Sequence, residues 1–418
     1  MSGNSGMNET PSSERVHIGL FGRRNAGKSS LINALTGQNL AIVSDTPGTT
    51  TDPVSKAMEL LPLGPVLFID TPGIDDEGTL GSLRVQRSYQ TLNKTDIAVL
   101  VVEAASGLSP EDWALLDKIR EKKLPALLVF TQADHLGDPA AWEERIPDLK
   151  RVKATNIPYC IVSSATGKNI TDLKETLARL VPEKRAPYPL CADLVSPGDF
   201  AVLVIPIDKA APKGRLILPE QQAIRDLLDA GATAIVTQDV KLEQTLKALG
   251  KDPRLVITDS QAFGMVNRIV PPRIPLTSFS ILMARHKGNL AQAVEGVAFL
   301  KRLQDGDHVL ISEGCTHHRQ CGDIGTVKLP RWLAEFTGKR LELSWTSGTE
   351  FPLDLSPYRM VIHCGGCMLN EREMQYRYRW AGDQHIPITN YGITIAHCHG
   401  ILKRSLELFP DILAKLDK

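Results

Sequence analysis

The stretch GLFGRRNAGKSSLINAL, residues 19–35, joins an apolar run to an amphipathic segment through a glycine-rich turn. Its core, from Gly22 to Ser29, fits the pattern G-x-x-x-x-G-K-S. Glycines let backbone N–H groups turn inward around phosphate oxygens, Lys28 brings positive charge to the β- and γ-phosphates, and the serine hydroxyl ligates Mg²⁺. A predicted strand at 16–21 precedes the turn and a predicted helix follows it. The stretch therefore predicts a phosphate-binding loop at a helix N-terminus.

Apolar runs and amphipathic stretches alternate from residue 15 to 182, which is typical of strand–helix units around a mainly parallel sheet. After a proline-rich passage, a smaller α/β block occupies residues 190–270, and a third block occupies 271–418. Residues 1–14 are small and polar, so we expect a disordered tail. The predicted fold class is α/β, with a P-loop domain on a mainly parallel sheet followed by two smaller α/β domains.

The overall charge and the lengths of the apolar runs argue against some classes of partner. Lys+Arg and Asp+Glu each number 48, so the zero net charge gives no support to generic binding of nucleic acid or anionic membranes. The apolar runs are shorter than the ~20 residues that a membrane-spanning helix needs. The first residues lack the apolar core of a secretion signal. We therefore expect a soluble cytoplasmic protein.

Three further segments agree with a nucleotide site. Asp70 and Gly73 follow an apolar run in the pattern D-x-x-G, in which the acid holds Mg²⁺ through water and the glycine N–H meets the γ-phosphate. Thr50, within DTPGTTTDP, is the predicted switch threonine that closes over Mg²⁺. The segment VSSATGKN at 162–169 is similar to loops whose backbone touches the base. The predicted catalytic residues are Lys28, Thr50, Asp70 and Gly73.

Two segments compete for the guanine-reading motif N-K-x-D. NKTD at 93–96 spells it but precedes a predicted strand, whereas the motif should follow one. The strand PALLVF is instead followed by Thr131-Gln132-Ala133-Asp134, and the topology of open α/β sheets favours this second segment. Asp134 keeps the acid that accepts from the guanine N1 and N2 hydrogens, while Thr131 replaces Asn and Gln132 replaces Lys.

Through these motifs, residues 16–182 resemble the TrmE–Era class of GTPases. The resemblance implies Mg²⁺-dependent hydrolysis of GTP to GDP. Asn25 and the G-T-T at 48–50 are similar to members that use K⁺, in which this asparagine holds the ion beside the phosphates. Ile74 stands where Ras-like enzymes place a catalytic glutamine, so K⁺ or another group takes that electrostatic role. The predicted nucleotide contacts are Gly22, Asn25, Ala26, Gly27, Lys28, Ser29, Ser30, Thr50, Asp70, Gly73, Asp134, Ser164 and Ala165.

A second constellation lies near the carboxyl end. YRMVIHCGGCMLN places His363, Cys364 and Cys367 after an apolar run, and Cys315 and His317 follow another, giving C-x-H…H-C-x-x-C. If the two strands are parallel neighbours, their carboxyl ends share one edge of the sheet and the three thiols converge. Three thiolates with a histidine suit tetrahedral zinc, and three with an open position suit an iron–sulfur cluster. Burial of the cysteines without metal is the third interpretation.

The order of parts along the whole chain resembles the HydF family of FeFe-hydrogenase maturation GTPases. The resemblance implies homodimerisation through the block at 190–270. It also implies a scaffold on which two radical-SAM maturases assemble a di-iron precursor, which then passes to apo FeFe-hydrogenase. It further implies that the block at 271–418 binds a 4Fe-4S cluster. The implied cluster ligands are Cys315, Cys364 and Cys367, with His317 and His363 as further candidates.

The alternative function is an RNA-associated TrmE/Era-like GTPase with a structural zinc domain. EREMQYRYRW at 371–380 mixes arginine with aromatic residues, as RNA-stacking surfaces do. Given the zero net charge, an amphipathic helix with a solvated arginine face is the favoured interpretation. We therefore predict neither a nucleic-acid partner nor a membrane.

Overall fold

The computed structural model describes residues 10–37, 54–71, 91–181, 188–207, 216–314, 323–348 and 350–416. The chain divides into two compact units, residues 1–184 and 185–418. The first unit contains a six-stranded sheet, and the second contains two four-stranded sheets. Within the described ranges, no helix combines the length and apolar character needed to cross a membrane.

The strands of the first unit are β1 (Val16–Phe21), β2 (Val54–Leu60), β3 (Gly64–Asp70), β4 (Ile97–Glu103), β5 (Ala126–Thr131) and β6 (Tyr159–Ile161). They lie in the order β2-β3-β1-β4-β5-β6, and only the described pair β2–β3 is antiparallel. All six residues of β1 are buried, as expected for an apolar strand covered on both faces. The predicted mainly parallel sheet is confirmed, while the antiparallel edge strand β2 was not predicted.

The α-helices that the structure describes in the first unit are α1 (Lys28–Thr36), α2 (Pro110–Glu121), α3 (Trp142–Arg145), α4 (Leu149–Lys153) and α5 (Ile170–Leu180). A capping box begins α2, in which the Ser109 side chain accepts from the Asp112 N–H and the Asp112 carboxylate accepts from the Ser109 N–H. Pro110 occupies the first helical position, where no backbone donor is needed.

The second unit begins with strands β7 (Phe200–Val204), β8 (Thr233–Thr237), β9 (Leu255–Thr258) and β10 (Leu276–Ser278). They form a parallel sheet in the order β10-β9-β7-β8, so β8 is an edge strand. Its helices are α6 (Leu218–Asp229), α7 (Leu242–Leu249) and α8 (Phe263–Ile269). The predicted α/β character of this block is confirmed. Its predicted end at residue 270 stays a prediction, and β10 lies beyond that residue.

The third sheet contains β11 (His308–Ser312), β12 (Glu342–Thr346), β13 (Met360–His363) and β14 (Ile388–Asn390). All its pairs are parallel, in the order β12-β11-β13-β14. The remaining helices are α9 (Phe279–His286), α10 (Leu290–Val297), α11 (Leu329–Thr337), α12 (Glu371–Asp383), α13 (Tyr391–Cys398), α14 (Leu402–Ser405) and α15 (Pro410–Leu413). After α10 the chain continues as a 3₁₀ turn over Ala298–Arg302.

One apolar core runs through the second unit. It includes Leu203 and Ile257 from the second sheet and Ile311 and Ile362 from the third, all fully buried. Because both sheets share this core, the strand ends of the third sheet are supported by packing that extends well beyond their own helices.

Candidate functional site

The phosphate-binding loop lies between β1 and α1. Gly22 has φ +138°, and a Cβ atom there would lie 2.1 Å from the Val101 carbonyl oxygen, so only glycine fits this turn against β4. The Lys28 ammonium donates to the carbonyls of Gly22 (2.8 Å) and Arg23 (2.7 Å). The loop therefore holds a buried positive charge inside its turn, as binding of phosphate requires.

Asp70, the last residue of β3, meets α1 at the serine predicted to ligate Mg²⁺. The Ser29 hydroxyl lies 3.5 Å from one Asp70 carboxylate oxygen. The other carboxylate oxygen is buried and has no hydrogen-bond partner in the described chain. Burial raises the pKa of Asp70, and the nearby Lys28 charge opposes that rise. An unpartnered carboxylate oxygen beside a serine hydroxyl fits the oxygen ligands that Mg²⁺ prefers.

The altered base motif begins at Thr131, the last residue of β5, and its changed residues contact the phosphate loop. The Thr131 hydroxyl donates to the Ala26 carbonyl at 2.6 Å, and the Gln132 amide donates to the Asn25 carbonyl at 3.0 Å. Thr131 is buried. Although these residues replace the usual Asn and Lys, they still tie the base-reading segment to the loop that would hold the phosphates.

Asp134 is oriented by the loop after β6. The Ser163 hydroxyl donates to one Asp134 carboxylate oxygen at 2.6 Å. This hydrogen bond lowers the pKa of Asp134, so the acid stays ionised at neutral pH. A charged acceptor held in this way can pair with two neighbouring N–H donors on the edge of a base.

A cavity of about 860 Å³ joins these segments. Its lining includes the predicted contacts Asn25, Gly27, Lys28, Ser29, Ser30, Asp134, Ser164 and Ala165. Thr131 and Gln132 of the predicted base motif also line it, although they were not among the predicted contacts, and the prediction missed the lining residues Asn33, Ala34, Gly37 and His135. Helical spacing could have identified Asn33 and Ala34, which lie three and four residues after Ser30 on the same face of α1. Of the other predicted residues, Thr50 and Gly73 lie outside the described residues.

The competing segment NKTD takes part in structural contacts instead. Asp96 accepts from the His17 backbone N–H at 2.8 Å, and Asn93 accepts from the Lys122 ammonium at 2.8 Å. Neither residue lines the cavity. The segment immediately precedes β4, at the end of the strand opposite to the nucleotide-binding edge.

In the second unit, the condition for convergence of the thiols is met. β11 and β13 are parallel neighbours, with Ser312 opposite His363, and the Cys364 N–H donates to the Ser312 carbonyl at 2.8 Å. The C-x-x-C segment therefore leaves the sheet beside Gly314, the residue that precedes Cys315 in the sequence. Cys315 and His317 lie outside the described residues.

The Cys364 sulfur accepts two backbone hydrogen bonds, from the N–H of Gly314 at 3.0 Å and of Gly366 at 3.3 Å. Gly366 has φ +61°, and a Cβ atom there would lie 2.3 Å from the Met374 sulfur, so the turn favours glycine. Two N–H donors stabilise a thiolate more than a thiol, as a metal-bound sulfur needs. Burial raises the pKa of the Cys367 thiol, and nearby Cys364 raises it further.

His363 is fully buried, and both its ring nitrogens have partners. Nδ1 lies 2.7 Å from the Cys364 carbonyl and donates to it, while Nε2 accepts from the Arg377 guanidinium at 2.9 Å. These partners assign the neutral imidazole with its proton on Nδ1. The candidate ligand His363 therefore serves in this structure as a link between the cysteine segment and α12.

The prediction of a solvated arginine face on α12 is wrong for Arg377. Its side chain is fully buried and forms an ion pair with Glu373 at 2.8 Å and a hydrogen bond to the Gly348 carbonyl at 2.9 Å. Arg379, two residues on, is exposed. The pattern missed this difference because, apart from Glu373, the partners of the buried arginine are distant in sequence: the His363 ring and the Gly348 carbonyl. Within the described ranges, no group of three or more His, Cys, Asp or Glu side chains is placed to hold a metal.

Family models match three parts of the chain. Residues 17–132 match the model described as 50S ribosome-binding GTPase. Residues 190–288 match the hydrogen maturase F dimerization domain, and residues 291–408 match the hydrogen maturase F tetramerization domain.

Curated relatives match the amino-terminal part. GTPase Era from Caldicellulosiruptor saccharolyticus is 34% identical over 171 residues, which are 40% of this chain and 55% of the relative. The tRNA modification GTPase MnmE from a Synechococcus species is 39% identical over 167 residues, which are 40% of this chain and 34% of the relative. A solved structure of an Aquifex aeolicus Era variant bound to GDP and AlF₄⁻ is 20% identical with a TM-score of 0.36, covering 53% of this chain and 92% of that one. The chain thus spans little more than half the Era relative and about a third of MnmE.

Replacing Arg377 by Met removes one partner of a buried ion pair and one hydrogen bond to His363. Breaking such a pair typically costs roughly 3–5 kcal/mol. We expect this decrease in the free energy of unfolding of the metal-free protein, measured by chemical denaturation. The matched control is Arg379→Met on the same helix, which changes the free energy of unfolding by less than about 0.5 kcal/mol. Equal effects of the two variants would contradict the assignment of Arg377 as a buried residue in an ion pair.

Proposed function

Because the chain belongs to the hydrogen maturase F family, we propose that it is a GTP-hydrolysing scaffold that binds a 4Fe-4S cluster and delivers a di-iron precursor to apo FeFe-hydrogenase. Two observations support the two halves of this proposal. Lys28, Ser29 and Asp134 share one cavity. The N–H of Gly314, which precedes Cys315, donates to the Cys364 sulfur.

In the nucleotide half, Lys28 binds the β- and γ-phosphates, and Ser29 with Asp70 holds Mg²⁺. Asp134 accepts from the guanine N1 and N2 hydrogens. Asn25 holds K⁺ beside the phosphates, where the cation offsets charge that develops during hydrolysis. Thr50 and Gly73 close over Mg²⁺ and the γ-phosphate, and both lie outside the described residues.

In the cluster half, Cys315, Cys364 and Cys367 supply three thiolates, a donor set that suits an iron–sulfur cluster. The two N–H donors on the Cys364 sulfur fit this role, because they would compensate negative charge on a ligating thiolate. The bound cluster would offer an iron with an incomplete protein ligand set, to which a second metal unit can attach. His317 is the remaining histidine candidate, since both nitrogens of His363 already hold hydrogen bonds.

The proposed partners follow from the family. They are the radical-SAM maturases that assemble the precursor and the apo FeFe-hydrogenase that receives it, in the cytoplasm, without nucleic acid or a membrane. The burial of Arg377 removes one arginine from the surface that an RNA-binding α12 would present. An RNA-associated GTPase with a structural zinc domain is the outcome that the cluster experiment below can reveal.

Self-association is proposed through the block that matches the dimerization domain. Its edge strand β8 leaves one side of the sheet unpaired by described strands, and Val236 on that strand is 47% exposed. An exposed β-branched edge strand is a template for pairing with another copy. The match to a tetramerization domain supports further association through residues 291–408.

Asp134→Asn replaces an acceptor of two guanine hydrogens by an amide that presents a donor. Since hydrogen bonds to a charged group contribute about 1.5–3 kcal/mol, we expect GDP affinity to fall by roughly tenfold to a hundredfold. Affinity for xanthosine diphosphate, which carries an oxygen in place of the guanine amino group, should rise. Isothermal titration calorimetry measures the affinity for each of the two nucleotides. Asp96→Asn, in the competing segment, is the control and should leave both affinities unchanged; the reverse pattern would assign base reading to NKTD.

Cys364→Ser removes one of the three proposed cluster thiolates. After anaerobic reconstitution, we expect the native chain to be brown, with iron, sulfide and an EPR signal on reduction, and the variant to lose most of its iron. Cys398→Ser, at the end of α13, is the matched control and should keep the cluster. Colourless protein with stoichiometric zinc would instead support the RNA-associated alternative.

Val236→Lys places a charge on the exposed edge of β8, where pairing with a second copy would bring it against its symmetry mate. We expect the oligomer to dissociate by at least one step in light scattering coupled to size exclusion. Val236→Thr keeps a neutral β-branched residue and should leave the mass unchanged. An unchanged mass for the lysine variant would exclude β8 from the interface.

A further inference from the structure

Lys287 is a buried lysine that the nucleotide and thiolate chemistry does not use. It caps the carboxyl end of α9, and its side chain is 6% exposed. Its ammonium donates to the carbonyl of Gly366, within the C-x-x-C segment, and to the carbonyl of Leu369 at 3.0 Å. Lys287 therefore holds the backbone on both sides of Cys367.

No carboxylate forms an ion pair with this ammonium within the part of the chain that the structure describes. The groups whose ionised forms would favour its charge are, in decreasing order, Cys367, Cys364 and Glu371. Glu371 accepts from the Gln375 amide at 2.6 Å. Burial lowers the pKa of Lys287 to about 8, and these three groups oppose this when ionised. The ammonium thus lies in the interior with two neutral carbonyls as its direct partners.

A buried cation without a close anion is unfavourable, because the interior screens its charge poorly and offers no water. Neutral thiols do not compensate it. A 4Fe-4S core held by three thiolates carries net negative charge, and its reduced form carries one further electron. The arrangement is therefore most favourable when a negatively charged group occupies the space beside Cys364 and Cys367.

We propose that Lys287 is a positioning and charge-compensating residue for the cluster, which holds the segment from Cys364 to Leu369 through two carbonyls and raises the reduction potential of the bound cluster. This inference rests on the proposed function. A fixed positive charge stabilises the reduced form more than the oxidised form, because the reduced form is the more negative. The same hydrogen bonds keep the Cys367 backbone in place whether or not metal is bound.

The test compares two replacements with a surface control in anaerobically reconstituted full-length protein. Lys287→Gln keeps a donor for the carbonyls but removes the charge, and Lys287→Met removes both. Lys403→Met replaces an exposed lysine of the same unit. In EPR-monitored redox titration, we expect the ratio of reduced to oxidised cluster at a fixed potential to fall about tenfold in both Lys287 variants, a shift of about 59 mV to more negative potential. The control keeps the native potential.

Two further measurements separate the effect of the Lys287 charge from the effect of its hydrogen bonds to the two carbonyls. Iron loss to a chelator should be faster in Lys287→Met than in Lys287→Gln, since only the former releases the two carbonyls. The metal-free Lys287→Gln protein should melt no lower than the native metal-free protein, because an unpaired buried charge has been removed. A lower melting temperature with an unchanged potential would assign Lys287 a purely structural role and overturn the proposal.

If Lys287→Gln folds but retains no iron, Lys287→Arg shows whether iron retention depends on the positive charge. Retention of iron by the arginine variant supports charge compensation, and equal loss from both overturns it. Failure of the proposed function looks different, because the native chain itself would then bind no iron and sulfide. A native chain that holds a cluster whose potential is indifferent to Lys287 contradicts only the inference drawn here.

Discussion

The parallel pairing of β11 with β13 is the interaction on which the second site depends. Its register sets Ser312 opposite His363, so the two chain segments leave the sheet side by side and the Gly314 N–H reaches the Cys364 sulfur. A slip of one residue would turn His363 and its neighbours to the opposite face of the sheet. Such a slip is opposed because Ile311 and Ile362 are fully buried in an apolar core that extends through the second unit.

Two buried cations then set the shape of the segment that follows β13. Arg377 binds the Nε2 atom of His363, whose Nδ1 binds the Cys364 carbonyl, and Lys287 binds the carbonyls of Gly366 and Leu369. Charges act strongly in a poorly screened interior. The two buried cations consequently hold the segment through its backbone carbonyls and the His363 ring. A histidine that resembles a ligand in the sequence here orients the loop.

In the first unit too, the register between parallel strands brings site residues together at one edge of the sheet. The pairing of Leu20 with Asp70 brings the acid at the end of β3 beside the start of α1. The altered base motif keeps its contacts with the phosphate loop through Thr131 and Gln132, but the glutamine carries no charge. In the described lining of the cavity, Lys28 is therefore the one side chain with a permanent positive charge. Attraction of phosphate depends on it and on the N-terminus of α1.

The sequence by itself determined the alternating strands and helices, the phosphate loop, Asp70 after its strand and the position of the base motif. These features depend on neighbouring residues, since a glycine turn or an apolar run acts over a few positions. For the two distant cysteine segments, the sequence set only a condition, that their strands be parallel neighbours, and the tertiary structure met it. Only the tertiary structure decided that Arg377 is buried while Arg379 is exposed, that both nitrogens of His363 are occupied, and that Lys287 supports the cysteine segment. The reason is that these side chains take their environment from residues far along the chain, as Lys287 does from Gly366, 79 positions away. Even the local pair of Arg377 with Glu373, four residues before it, does not by itself show that the arginine is buried.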